Sequence, residues 1–267
     1  MTVVQALVLG VLQGLTEFLP VSSSAHLALA PWLFGWPEPG LSFDVALHLG
    51  TLVAVLVYFR REWIALLGAI VEMAKNRRVE TREQRRVLYL VVATIPGGIG
   101  GLLLEKYAER TFRAPIVIAV AMIAMGLVLW IVDRLSRQER SLDNLGLRDA
   151  IVVGCAQVLA LVPGVSRSGA TITAGRALQL DRESAATFSF LMSMPIIAAA
   201  AVLKVPHAIR ESGVSLPLVI GVLASAISGW LAISILLRFV SRHSYGVFAL
   251  YRVLLGGAVI ALALARR

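Results

Sequence analysis

Apolar residues dominate the chain in runs of about 20, separated by shorter connections that are basic or of mixed charge. An α-helix needs about 20 predominantly apolar residues to cross the hydrocarbon core of a bilayer. Six runs meet this requirement, so each predicts a membrane-spanning helix. They cover residues 42–59, 87–104, 115–133, 184–203, 214–237 and 247–265.

Two further apolar segments are interrupted by proline, serine and other polar residues. Residues 1–36 are broken at PVSSSAH, and residues 149–180 are broken at PGVSRSGAT. Irregular backbone at membrane depth is tolerated only where protein buries it or where it lines a wet cavity. Each segment therefore predicts a re-entrant helical hairpin whose tip lines a cavity.

The two broken segments are related to each other in sequence. A shift of 144 residues aligns GVLQGLTEFLPVSSSA (10–25) with GCAQVLALVPGVSRSG (154–169) without gaps, matching Gly, Gln, Leu, Val and two Ser. Each copy holds one hairpin and three spans, and an odd number of spans inserts the second copy upside down. The chain thus predicts one all-α membrane domain, 1–267, with inverted-topology repeats at 1–133 and 149–267 whose hairpin tips meet near the midplane.

Composition agrees with a lipid solvent, because 58% of the residues are hydrophobic, 15% are charged and the mean hydropathy is +0.82. The net charge of +9 could suggest nucleic acid, but the basic residues cluster in short connections, as in cytoplasmic loops. We therefore place connections 60–86 and 134–148 in the cytoplasm and expect no nucleic-acid partner. The first hairpin then enters from the outer face, and the second from the cytoplasm. The single cysteine, Cys155, excludes an intramolecular disulfide.

Polar side chains concentrate in the first hairpin. Gln13 and Glu17 are four residues apart, which places them on one helical face, and Ser22, Ser23 and His26 follow in or after the break. A carboxylate at membrane depth is costly, which favours a functional Glu17 over one that snorkels to the interface. His26 is a candidate acid, base or nucleophile, and a core histidine with a satisfied hydrogen bond is the alternative.

The second hairpin offers a site for phosphate. Arg167 is flanked by Ser166 and Ser168, and Thr171 follows one helical turn later. A guanidinium matches phosphate oxygens in pairs, and a helix that begins after the break points its positive end inward. The alternative is an arginine that anchors an interface, which the long apolar flanks disfavour.

Two other features carry less weight. Asp44 and His48 share one helical face and fit a supporting role in a site or a position at the interface equally well. The sequence PGGIGG at 96–101 predicts a close helix contact or a kink, and no nucleotide loop, because no strand precedes it.

At the two broken segments the chain resembles the undecaprenyl-diphosphatase family of bacitracin-resistance membrane phosphatases. That family pairs an (E/Q)GLTEFLPVSS(S/T)xH segment with a PGxSRSGAT segment, which read QGLTEFLPVSSSAH and PGVSRSGAT here. The resemblance covers essentially the whole chain. It implies hydrolysis of the C55 polyprenyl diphosphate to the monophosphate at the outer face of the bacterial inner membrane, which recycles the lipid carrier of cell-wall synthesis and confers bacitracin resistance.

The resemblance also assigns roles to residues at matching positions. It implies a catalytic set and a phosphate-binding set, with Glu17 and Gln13 as ligands of a divalent cation, Mg²⁺ or Ca²⁺. Gln13 stands where the family often has glutamate, which removes one anionic ligand. The catalytic set is Glu17, Ser23, His26 and Arg167, and the phosphate-binding set is Ser22, Ser166, Arg167, Ser168 and Thr171.

Several alternatives stay open at this level. Ser23 attacks with His26 as its base, which we prefer, or His26 itself attacks or delivers a water. A transporter or flippase for polyprenyl-phosphate lipid is the main rival function, because paired re-entrant hairpins in inverted repeats also support alternating access. A scaffolding membrane protein leaves Glu17 and Arg167 unexplained. We expect membrane lipid as a partner, and a homodimer is an open alternative.

Overall fold

A computed structural model describes residues 1–266, and it describes side chains throughout this range except at 41–42, 105–111, 204–205 and 207–212. The regular structure of this part is helical apart from an isolated bridge between Arg140 and Leu180. The all-α architecture predicted from hydropathy is therefore confirmed. The helices are α1 Val3–Phe18, α2 Ser23–Phe34, α3 Leu41–Tyr58, α4 Arg60–Asn76, α5 Arg82–Thr111, α6 Pro115–Leu135, α7 Leu147–Val158, α8 Arg167–Ala177, α9 Arg182–Ser212, α10 Leu216–Val240 and α11 Gly246–Ala265.

The predicted spans coincide with long apolar helices, although α5 and α9 continue to Thr111 and Ser212, beyond the predicted ends at 104 and 203. Among the described residues, five helices are long and apolar enough to cross a bilayer alone: α5, α6, α9, α10 and α11. The sixth predicted span, 42–59, is helical as α3 but passes the same test only together with α4. The two helices are bent by 81° at Phe59, so this span departs from the straight rod that hydropathy suggests.

The basic connection 60–86 contains α4, a helix that the hydropathy pattern did not predict. It carries Arg60 and Arg61 at its start, yet Ile64, Leu67 and Val71 are 60–69% exposed on one face. An amphipathic helix with charged and exposed apolar sides is typical of a helix that lies in the membrane interface. The chain thus turns sharply after α3 into a helix that has the composition of an interfacial helix.

Both broken segments form pairs of short helices, as predicted. The helices α1, α2, α7 and α8 have 16, 12, 12 and 11 residues, which is too short for a full crossing. Ser22 and Ser166, which correspond under the 144-residue shift, both have positive φ, +78° and +76°. Each caps the following helix, since its hydroxyl accepts a hydrogen bond from the N–H of Ala25 or Gly169. The two tips thus share one local conformation.

The short helices pack against spans from the opposite half of the chain. Gly10 of α1 lies against α10, where an added Cβ would come within 2.3 Å of the Gly221 carbonyl oxygen. The corresponding Gly154 of α7 lies against α5, where a Cβ would come within 2.5 Å of the Ala93 carbonyl oxygen. The two contacts are equivalent under the 144-residue shift, as two related repeats would give, and the inversion itself stays a prediction.

Arg252 of α11 holds the two tips together. Its guanidinium is fully buried and donates to the carbonyl oxygens of Pro20 at 3.0 Å and Gly164 at 2.7 Å, which are equivalent under the repeat shift. Its Nε donates to the Met122 carbonyl oxygen of α6 at 2.9 Å. The Ser168 hydroxyl adds a direct link to the Leu19 carbonyl oxygen at 3.2 Å. The two hairpin tips therefore meet, and their predicted position near the membrane midplane stays a prediction.

A buried ionic cluster joins the helix ends away from the tips. The carboxylate of Asp133, at the end of α6, accepts hydrogen bonds from Arg176 Nε at 2.8 Å and Arg182 Nε at 2.9 Å. It also accepts the backbone N–H of Tyr245 at 3.0 Å. Buried charges persist only when they are paired and hydrogen-bonded, so this cluster fixes the relative positions of α6, α8, α9 and the start of α11.

Candidate active site

Glu17 is the hub of a polar cluster between the hairpins. The carboxylate lies in the last turn of α1 and is 7% exposed. Its Oε2 accepts hydrogen bonds from the Ser23 hydroxyl at 2.6 Å and from Gln13 Nε2 at 3.1 Å. Two cationic or polar groups approach from other elements, with His48 Nε2 at 3.5 Å from Oε2 and Arg167 Nη2 at 3.8 Å from Oε1. The structure thus brings residues of both motifs into one site.

Arg167 connects this cluster to open space. It is the first residue of α8, and its side chain is 24% exposed. Its Nη1 is buried without a hydrogen-bond partner among the described residues. A buried guanidinium donor with no partner is costly, and an anion with oxygen acceptors would satisfy it.

Two cavities, each of about 380 Å³, meet at Arg167, Ser24 and His48. The first, which we call the outer cavity, extends to Glu38 and Arg113. The second, which we call the lateral cavity, reaches Glu17 and Ser23 and then runs between α5 and α9. Volumes of this size are typical of small-molecule sites, and the walls are mainly apolar with a few polar groups. The lateral wall includes Gly98, Gly101, Ala199 and Leu203.

The predicted pairing of Ser23 with His26 is wrong for this structure. His26 Nδ1 donates to the Ser22 carbonyl oxygen at 2.7 Å, and Nε2 pairs with the Tyr251 hydroxyl at 2.7 Å. Both ring nitrogens are therefore occupied, and Ser23 donates to Glu17 instead. The cause is the direction in which α2 starts, since Ser23 points back across the break to α1 while His26 points to α11. His26 thus contacts the backbone of the tip and α11, and the Glu17 carboxylate is the group that accepts the hydrogen bond from Ser23, while the catalytic roles of these residues stay predictions.

The predicted phosphate-binding residues divide into two groups. Arg167 and Ser166 line the lateral cavity. Ser22, Ser168 and Thr171 do not line either of the two cavities described above. Their hydroxyls are used within the fold. Ser22 caps α2, Ser168 bonds to the first tip, and Thr171 bonds to the Arg167 carbonyl oxygen at 2.8 Å and to Ser189 at 2.6 Å.

The structure adds two residues to the site that the sequence did not identify as functional, His48 and Gln157. His48 lines both cavities, and its Nδ1 bonds to the Asp44 carbonyl oxygen at 2.7 Å, which aims Nε2 at Glu17. From the sequence, a supporting role for His48 in a site and a position at the membrane interface were equally possible. Gln157 lines the lateral cavity, and the 144-residue shift pairs it with Gln13. That correspondence was the signal that could have identified it.

Comparison with known proteins agrees with this geometry. The family described as "Bacitracin resistance protein BacA" matches residues 6–258. The chain belongs to the BacA family. The match includes both hairpins, the site between them and most of the final helix, so BacA family membership applies to the whole arrangement described above.

Similar proteins cover the BacA-type chain from end to end. A protein of Gemmatimonas aurantiaca named undecaprenyl-diphosphatase is 66% identical over 98% of each chain. Proteins with the same name from Moorella thermoacetica and Geobacter sulfurreducens are 52% and 48% identical over 100% of each chain. The chain is therefore similar to enzymes named for this activity along its full length. It is a multi-pass membrane protein of this family.

The BacA site also has oxygen atoms suited to a divalent cation. No cluster of three or more His, Cys, Asp or Glu side chains that could hold a metal occurs among the described residues. Gln13 Oε1, however, is buried without a donor, one helical turn from the Glu17 carboxylate. Carboxylate and carboxamide oxygens are ligands that Mg²⁺ and Ca²⁺ prefer, so these two residues fit the cation that the family implies.

Proposed function

We propose that this chain hydrolyses undecaprenyl diphosphate to undecaprenyl phosphate and inorganic phosphate. The observation that carries this proposal is the Ser23 hydroxyl, which donates to the buried Glu17 carboxylate beside Arg167 at the wall of a cavity. Nucleophile, base and phosphate-binding cation are the groups that phosphoryl transfer needs. Relatives named undecaprenyl-diphosphatase, which are up to 66% identical, support the same activity.

The contacts suggest how the residues would act. Arg167 Nη1 binds the terminal phosphoryl group, and the N-terminus of α8 adds its partial positive charge. Ser23 Oγ attacks the terminal phosphorus while its proton passes to Glu17, and the bond to the bridging oxygen breaks to release undecaprenyl phosphate. Water then hydrolyses the phosphoserine, which releases inorganic phosphate and restores Ser23. A divalent cation held by Glu17 and Gln13 would neutralise phosphate charge when bound.

Ser23→Ala tests the nucleophile. We expect the rate of phosphate release to fall by roughly 10²–10⁴-fold, because the variant lacks the group that attacks phosphorus and donates to Glu17. The measurement is phosphate release from undecaprenyl diphosphate by the purified protein in detergent. Ser241→Ala is the control, since Ser241 is exposed at the end of α10, its hydroxyl donates to the Arg238 carbonyl oxygen and it lines neither cavity. If the two variants release phosphate at the same rate, Ser23 is not the nucleophile and water attacks the phosphorus directly.

The lateral cavity gives the lipid a route to the site. It begins at Glu17 and Arg167 and runs between α5 and α9, whose outer faces expose Leu102 at 82% and Leu203 at 69%. We infer that the headgroup enters sideways from the bilayer while the polyprenyl chain stays between these helices. This path avoids exposing a long apolar chain to water.

Gly98→Leu tests that route. A Cβ at Gly98 meets nothing within 4 Å, so the variant should fold while its side chain narrows the lateral cavity. We expect KM for the C55 diphosphate to rise at least about tenfold, which corresponds to 1.4 kcal/mol of lost binding, with little change for a C15 diphosphate. Gly257→Leu, on α11 with equally open space, is the control. An unchanged KM for the C55 diphosphate in Gly98→Leu would contradict lateral entry.

The outer cavity supports an opening toward the outer face of the plasma membrane. Arg86, near the start of α5, pairs with Asp143 at 3.0 Å, so the two basic connections lie at one end of the molecule. Arg113 lies beyond the other end of α5 and pairs with Glu38 at 3.8 Å at the outer cavity. Because basic connections stay in the cytoplasm, the cavity would open on the opposite side.

Transport of polyprenyl-phosphate lipid is not favoured, because the relatives are named for hydrolysis. Transport also does not require a serine hydroxyl that is hydrogen-bonded to a carboxylate, as Ser23 is to Glu17. The membrane-lipid environment and the lipid substrate belong to the proposal. A homodimer and the expected lack of a nucleic-acid partner stay predictions.

A further inference from the structure

Gln157 of α7 has a buried oxygen without a partner at the wall of the lateral cavity. The side chain is 4% exposed, and its Oε1 accepts no hydrogen bond from the described residues. Glu17, Ser23 and Arg167 line the same cavity. A buried carbonyl oxygen that loses water without gaining a donor is unfavourable, so this position calls for a ligand that supplies positive charge or a proton donor.

Neighbouring backbone fixes which end of the carboxamide is left free. Gln157 Nε2 donates to the Ala93 carbonyl oxygen of α5 at 3.4 Å. Exchanging the oxygen and nitrogen would place two carbonyl oxygens against each other, which is repulsive. Gly97 packs closely against the same carboxamide, since a Cβ at Gly97 would come within 2.4 Å of Gln157 Nε2. The unpartnered atom is therefore the oxygen.

The unsatisfied groups of the site are complementary to a cation bound to a diphosphate. Arg167 Nη1 is a donor without an acceptor, and a phosphate oxygen satisfies it. Gln13 Oε1 and Gln157 Oε1 are acceptors without donors, and a phosphate oxygen would only repel them. A divalent cation attracts both carboxamide oxygens and the phosphate at once.

We propose that Gln157 binds the divalent cation of this site, so that the second hairpin contributes a neutral oxygen to a ligand set that Glu17 and Gln13 begin in the first. The inference rests on the proposed function. It also explains how the site tolerates glutamine at position 13, because an oxygen from the other half of the repeat replaces part of the lost coordination.

The test measures metal binding separately from catalysis. Mn²⁺ is titrated into the purified protein without substrate or other chelator, and free Mn²⁺ is followed by its electron paramagnetic resonance signal. We expect Gln157→Met to weaken Mn²⁺ binding by about 10- to 100-fold. Gln157→Glu keeps an oxygen in place of the carboxamide oxygen and should bind Mn²⁺ at least as tightly as wild type.

Gln84→Met is the matched control, because Gln84 is also buried but its carboxamide oxygen already accepts from Glu80 N and Thr81 N. Unchanged Mn²⁺ affinity in Gln157→Met, or no Mn²⁺ binding by wild type, overturns the inference. Equal weakening in Gln157→Met and Gln157→Glu overturns it too, because the Nε2 bond to Ala93 would then be the cause. Wild-type phosphate release, measured in parallel, tests the proposed function independently.

Discussion

Replacing Glu17 with glutamine should reduce phosphate release from undecaprenyl diphosphate by roughly 10²–10⁴-fold. The variant keeps the size of the side chain but loses the negative charge that accepts the Ser23 proton and that faces Arg167. It also loses the anionic oxygen that a divalent cation would need. Initial rates in detergent, at several concentrations of Mg²⁺ and Ca²⁺, give the measurement.

Glu80→Gln provides the control for this substitution, because Glu80 is 70% exposed in the connection before α5 and lies outside both cavities. Circular dichroism should show the same helix content for both variants. A Glu17→Gln protein that is folded and works at the wild-type rate would exclude Glu17 as the base and would remove the central argument for Ser23.

Replacing Arg252 with lysine should destabilise the fold and abolish phosphate release together. A single ammonium cannot reach the carbonyl oxygens of Pro20, Gly164 and Met122 at once, and each buried carbonyl left without a donor costs about 1–3 kcal/mol. We expect the melting temperature in detergent to fall by about 5 °C or more. Activity falls because Ser23 and Arg167 directly follow the tips that Arg252 holds.

Arg266→Lys serves as the comparison for Arg252→Lys. Arg266 also lies at α11 and donates to backbone carbonyl oxygens, those of Trp32 and Leu33, but these bonds are exposed. Its substitution should leave both melting temperature and activity near wild type. If Arg252→Lys melts with wild-type stability, the two tips must be held by other contacts, such as the bond from Ser168 to Leu19.

The sequence predicted the helices well where burial in lipid alone requires a helix. A run of apolar residues has to be helical in lipid, so α5, α6 and α9–α11 were found with bounds close to those observed. The helix α4 was missed because its apolar residues recur at helical spacing among charges, which average hydropathy conceals. The bend at Phe59 has no sequence signal, because neither proline nor glycine lies near it.

The sequence identified most residues of the site but did not predict which of them contact each other. Glu17 and Arg167 were identified because charges at membrane depth need a reason, and the structure places them 3.8 Å apart. The partner of Ser23 was predicted wrongly, because the left-handed backbone at Ser22 sets the direction of α2 and spacing alone cannot show it. Gln157 was overlooked as a neutral residue in an apolar run, although the repeat alignment matched it with Gln13.

The contacts of Arg252 set an order of events during biosynthesis. Both hairpin tips receive hydrogen bonds from α11, the last helix along the described chain, whereas the groups of the active site precede it. Membrane proteins are inserted as they are translated from the N-terminus, and domains fold as their sequence emerges. Both hairpins are therefore synthesised before the arginine that links their tips, and we expect a chain that ends before residue 252 to lack these hydrogen bonds.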